Sequence, residues 1–191
     1  MPYRGLEPDG ASLLPLIGRI EADARSLAGS LSPAQLNWRP PDGGWSVAQV
    51  LTHVTIGNRL YFPVLRRLLA DAGPASSRSQ APWRPSFFGR LMIWSLSPTN
   101  SRKMPTSSKL KPGPEPGPDA LKEFLDTFRE LADLTRAAEG HDLNRLTFVS
   151  PVSALVRGLN FGDALLLLTV HGQRHLQQIG RVRASPGFPP A

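Results

Sequence analysis

The chain is 191 residues long, enough for one packed core but short for two ordinary domains and a linker, so a single domain spanning 1–191 is expected. Hydrophobic residues make up 40% and charged residues 19%, a folding composition, and the absence of cysteine excludes disulfides, thiolate ligands and a cysteine nucleophile. A net charge of +7 would ordinarily point to nucleic acid or an anionic surface; six of the seven excess charges fall between Gly73 and Pro118, leaving the rest nearly neutral, so nucleic acid is not favoured.

The N-terminal stretch shows no apolar segment of signal-peptide length, and no apolar run approaches the roughly 20 residues that span a bilayer, so no transmembrane segment and a cytoplasmic location are expected. The first helical pattern runs from about Leu13 to Leu31, with Leu14, Ile17, Ile20, Ala24, Leu27 and Leu31 at three- and four-residue steps and Pro15 in the first turn. Ser32-Pro33 opens a short turn carrying Leu36, and Pro40 to Gly44 is a loop. The second helix has the clearest start. Ser46 is its N-cap, Gln49 the reciprocal half of a capping box, and Trp45 a staple against Val50. It should run from Val47 to Ala72, stop at Gly73-Pro74, and kink or loosen at Pro63.

From Gly73 to Pro118 the chain holds nine of its 20 prolines and most of its basic excess: Arg78, Arg84, Arg90, Arg102, Lys103, Lys109 and Lys111 against the single Glu115. A long irregular loop between the second and third helices is expected, with one short helix from Phe87 to Leu96 lying on the bundle. The third helix spans about Asp119 to Glu139. Residues 143–159 carry no clear pattern. The fourth helix starts at Asn160, with Asp163 as its second cap partner, and runs to about Ala184. Four amphipathic segments without a convincing strand pattern give an all-α antiparallel four-helix bundle.

On a helical wheel of the last helix, Ala164, Leu167, Leu168, His175, Gln178 and Val182 fall within about 60° of His171. Two imidazoles one turn apart therefore lie in the middle of a core-facing stripe. Polar groups buried there require partners, and i, i+4 spacing suits two ligands of one metal ion. His53 is the natural third ligand, flanking the apolar face of the second helix beside Val50, Gly57 and Leu60. Three neutral imidazoles leave coordination positions open, as a catalytic site requires. An isolated H-x-x-x-H is a weak motif by itself and also arises as a hydrogen-bonded core pair. Gly172 stands where a zincin has its general-base Glu, so a peptidase of that kind is not expected. His141 is read as a solvated loop residue, Arg174 as an outer or interface residue, and Gln178 and Tyr61 as the candidate catalytic helpers.

Three stretches together resemble the DinB-like superfamily, which includes YfiT-like metal-dependent enzymes. They are Leu36-Asn37-Trp38-Arg39-Pro40 with Gly44-Trp45-Ser46, Val50-Leu51-Thr52-His53-Val54, and His171-Gly172-Gln173-Arg174-His175-Leu176-Gln177-Gln178-Ile179. The resemblance implies an up-down-down-up bundle, a three-histidine site at His53, His171 and His175 for nickel, zinc or a similar divalent ion, and a homodimer. It also implies activities that include transfer and isomerisation with low-molecular-weight thiols such as bacillithiol and mycothiol. The chain departs from the family pattern in its long 73–118 loop and in Ser150-Pro151, where His-Pro is common.

Three functions follow as expectations. The first is a metal-dependent enzyme that activates a low-molecular-weight thiol or water for transfer or hydrolysis of a small-molecule substrate, with Arg84, Arg90 or Lys109 steering an anionic substrate. The second is a non-catalytic metal-binding or sensing module whose basic aromatic loop contacts an anionic partner. The third is purely structural, with the histidines paired in the core and no ion bound.

Overall fold

The computed structural model describes residues 7–75, 82–98, 100 and 106–190. In chain order these form α1 (Gly10–Ala28), α2 (Pro33–Asn37), α3 (Val47–Ala72), α4 (Phe87–Leu96), a 3-10 turn (Ser108–Leu110), α5 (Ala120–Ala137), β1 (Thr147–Phe148), β2 (Leu159–Asn160) and α6 (Phe161–Arg183). None of the described helices is long and apolar enough to cross a membrane.

Side-chain caps fix where the two site-bearing helices begin. The Ser46 hydroxyl accepts the Gln49 backbone N–H, and the Gln49 side-chain oxygen accepts that of Ser46, so α3 starts at Val47 as its sequence predicts. Asn160 and Asp163 make the same reciprocal pair at the start of α6. α1 begins three residues earlier than its hydrophobic spacing indicates, because the Asp9 carboxylate accepts the Ser12 N–H at 2.8 Å and caps Gly10 as the first helical residue. Pro15 consequently sits in the second turn of α1, not the first. α3 continues as helix through Pro63, whose ring lies on the exposed side. The stretch without a clear pattern contains β1 and β2, two residues each and antiparallel, too short to show a period of two.

Pair contacts give the direction of each long helix. Arg59 of α3 pairs with Glu123 of α5 at 3.2 Å, and Arg66 pairs with Glu130 seven residues further along both helices, so α3 and α5 are parallel. Gly10 at the start of α1 lies against Glu139, just beyond the end of α5, so that pair is antiparallel. Arg183 at the end of α6 donates to the Leu27 carbonyl near the end of α1 at 3.0 Å, so those two are parallel. The order is therefore up, down, down, up. α1 and α3 each pack against both α5 and α6. The core between them is aromatic and aliphatic, with Phe62, Phe124, Phe128, Phe161, Leu13, Ile17 and Leu165 fully buried.

Topology explains the long loop. Two consecutive parallel helices cannot be joined by a hairpin, so the chain leaving α3 must return along a helix about 39 Å long before α5 can start. The described parts of the segment between them pack on the bundle. α4, bounded as the sequence predicts, lies on α6. There the Asp163 carboxylate accepts the Ser86 N–H, and a Cβ on Gly89 would run into that same carboxylate. Further on, the 3-10 turn packs against α3, and the Gln49 side chain donates to the carbonyls of Gly113 and Pro114. Of the basic residues in the crossover, Arg78, Arg102 and Lys103 lie outside the described residues.

Candidate metal centre

The antiparallel packing of α3 on α6 brings His53 to the level of His171 and His175. Ring centroids are 5.2 Å apart for His53 and His171, 4.7 Å for His53 and His175, and 4.5 Å for His171 and His175. One ring nitrogen from each lies within 4.8 Å of the others, and the residues are only 4%, 7% and 9% exposed. The three side chains singled out in the sequence thus form one cluster; His141 is not part of it.

Hydrogen bonds assign the tautomers. The Nδ1–H of His53 donates to the Leu110 main-chain carbonyl at 2.8 Å, and the Nδ1–H of His175 donates to the Gln178 side-chain oxygen at 2.8 Å. Each bond holds the proton on Nδ1 and leaves the Nε2 lone pair as the ligating position, the outer-sphere arrangement that orients metal-bound histidines. His171 Nε2 stands 3.0 Å from His175 Nε2. That spacing suits an N–H···N hydrogen bond, and it also approaches the edge of a tetrahedral site with metal–nitrogen bonds near 2.0–2.1 Å, roughly 3.3 Å.

Burial keeps the rings neutral. His53 is held below the ordinary histidine range by loss of solvent, partly opposed by its bond to Leu110. His171 lies well below that range, through burial first and then the neighbouring His175 and His53. His175 is lowered to about 3, by burial first and then by His53, against the opposing bond to Gln178. Uncharged imidazoles without a carboxylate in the cluster are a donor set for a borderline divalent cation such as zinc or nickel, and the residues present fit such an ion.

The walls come from several elements. Trp45, beyond its place before the Ser46 cap, lays its ring 4.8 Å from that of His53. Gly57 leaves space between His171 and the Leu110 side chain. Beside the histidine stripe of α6, Gly172 packs so tightly on Phe128 that a Cβ would enter the ring, so a side chain at the position of the zincin glutamate would need Phe128 to move. Gln178 reaches the cluster; Tyr61 is engaged elsewhere. Its hydroxyl shares a hydrogen bond with Ser150 at 3.1 Å, its ring meets Phe148 edge-on, and burial pushes its phenol pKa up. Arg174 is half-buried, its guanidinium donating to the Ser97 and Asn100 carbonyls after α4. Sequence reasoning missed Leu110, and no signal marks it, because its contribution is a main-chain carbonyl that any residue carries.

A family model for the DinB superfamily matches residues 17–179, and the chain belongs to that superfamily. Among solved structures it is similar to YfiT from Bacillus subtilis, described as a probable metal-dependent hydrolase with an unusual four-helix bundle topology. The two chains are 17% identical and superpose with a TM-score of 0.57 over 92% of this chain and 86% of that one, a likeness of fold. No curated protein matches.

Proposed function

We propose that His53, His171 and His175 bind one divalent metal ion, nickel, zinc or a similar cation, and that the protein is a metal-dependent enzyme acting on a small molecule. The observation that carries this reading is the convergence of three buried, neutral imidazoles, two of them held on Nδ1 so that Nε2 faces the cluster. When bound, such an ion supplies Lewis acidity that makes a nucleophile from a thiol or water near neutral pH. The nucleophile proposed is a low-molecular-weight thiol or water, for transfer or hydrolysis, as the superfamily resemblance implies.

The chain's own residues have definable tasks in that reaction. Three ligands without a carboxylate leave coordination positions and positive charge for an anionic nucleophile. Trp45 and Leu110 keep bulk water from the rings, and Gln178 holds His175 in its ligating orientation. Lys109, next to Leu110 and exposed, is the basic residue best placed to draw an anionic substrate toward the site, whereas Arg84 and Arg90 stand at α4. A homodimer is part of the same proposal. Elemental analysis of freshly purified protein beside His175→Ala tests it: wild type should carry about one ion per chain and the variant none. Metal-free wild type that takes up no zinc or nickel on titration overturns it.

A further inference from the structure

Eight of the ten residues of α4 are not polar, Arg90 and Ser95 being the exceptions, yet only one side of the helix is covered. Gly89 and Ile93 are buried toward the bundle, while Phe87, Leu91 and Trp94 are 77%, 50% and 47% exposed. These are three of the five exposed large hydrophobics among the described residues. Their i, i+4, i+7 spacing places them within about 60° of arc, so they form one outward stripe. Phe87, the most exposed of the three, leans edge-on against Phe88 at 5.4 Å. Arg90 falls at the edge of the stripe and Arg84 just before the helix, and both are exposed.

The stripe is held in place. The Asp163 carboxylate at the start of α6 accepts the Ser86 N–H, the Gly89 backbone sits against it, and the Arg174 guanidinium binds the Ser97 and Asn100 carbonyls beyond the last turn. α4 therefore presents its apolar side as a fixed feature of the surface.

Charge decides which occupant suits it. A two-fold contact between copies would set α4 beside α4 and bring Arg84 and Arg90 of both chains together, within the segment that holds six of the seven excess positive charges. Nucleic acid would satisfy the guanidiniums and let Trp94 stack, but offers no apolar phase to Leu91. An anionic bilayer surface meets both needs, taking the side chains of Phe87, Leu91 and Trp94 into the acyl boundary and the guanidiniums at the lipid phosphates. We propose that the outer face of α4 docks this protein on an anionic lipid surface, with the helix lying in the plane of the interface.

Co-sedimentation of the full chain with vesicles tests this. Wild type should bind vesicles of phosphatidylglycerol and phosphatidylcholine and not those of phosphatidylcholine alone. Leu91→Ser with Trp94→Ser should weaken binding by at least about tenfold at unchanged melting temperature, since both side chains are exposed in the free protein. Arg84→Gln with Arg90→Gln should weaken it most at low salt. His175→Ala should bind vesicles as wild type does, so this docking and the metal site fail or stand separately. Absence of binding by wild type, or equal binding by the Leu91/Trp94 variant, overturns the proposal. So does a concentration-dependent dimer, or duplex DNA binding, that the same double variant abolishes, since the face would then belong to a second copy or to nucleic acid.

Discussion

The Nδ1–H of His53 donates to the carbonyl of Leu110, 57 residues away in the chain, at 2.8 Å. One of three clustered imidazoles on the bundle is thereby oriented by the segment that crosses outside it. The Gln49 side chain, one turn before His53, ties the same segment down through the carbonyls of Gly113 and Pro114. Gln49→Ala removes those two bonds and half of the α3 capping box together. It is expected to lower stability by about 1–2 kcal/mol in denaturant unfolding, and to weaken zinc affinity in a chelator competition. Wild-type zinc affinity in this variant would mean that the crossover does not position His53.

Gln178 acts through His175. Gln178→Ala should leave a metal-binding protein whose affinity is roughly 10–100-fold weaker, while Gln178→Glu, which keeps an acceptor oxygen, should recover much of it. Competitive titration against a chromophoric chelator measures both. Equal affinity in all three proteins would show that the 2.8 Å bond plays no part in holding the ring.

Acid should destabilise the metal-free protein. His53, His171 and His175 are all held below the ordinary histidine value when folded, so between pH 6.5 and about 3 the unfolded chain binds more protons than the folded one. The stability these neutral rings contribute is full above the unfolded value, near 6.5, and is lost as pH falls below it. Urea midpoints at pH 7.5 and 5.5 should therefore differ, with the lower value at pH 5.5. In His171→Ala/His175→Ala that difference should shrink.

Gly172 is predicted to be intolerant of any side chain. Gly172→Ala drives a methyl group into the Phe128 ring and is expected to lower stability by about 1–3 kcal/mol. Gly172→Glu should fare worse and should not create a peptidase. Guanidinium melts of the two variants give the comparison, and an alanine variant as stable as wild type would show that Phe128 can move aside.

What the sequence made readable was the part written in side chains with a period or a cap. The Ser46–Gln49 and Asn160–Asp163 boxes located the starts of α3 and α6, and the apolar stripe around His171 and His175 put two imidazoles on one buried face. Asp9 was overlooked because the turn it caps, Gly10 to Leu13, lies ahead of the apolar spacing that begins at Leu13. The partners of Arg174 were not legible for a different reason. Its partners are main-chain carbonyls of Ser97 and Asn100, more than 70 residues away, and a helical wheel reports only which way a residue leaves its own helix.

The parallel course of α3 and α5 has a consequence for how this architecture can change. Exchanging amino acids in the 106–114 stretch would reshape the surroundings of His53, yet the histidine-bearing turns would stay put, because α3 and α6 hold their register through their own caps and their packing. A scaffold obliged by its connectivity to drape a strap past its histidine cluster thus carries, in that strap, a part that can be re-tailored without rebuilding the frame beneath.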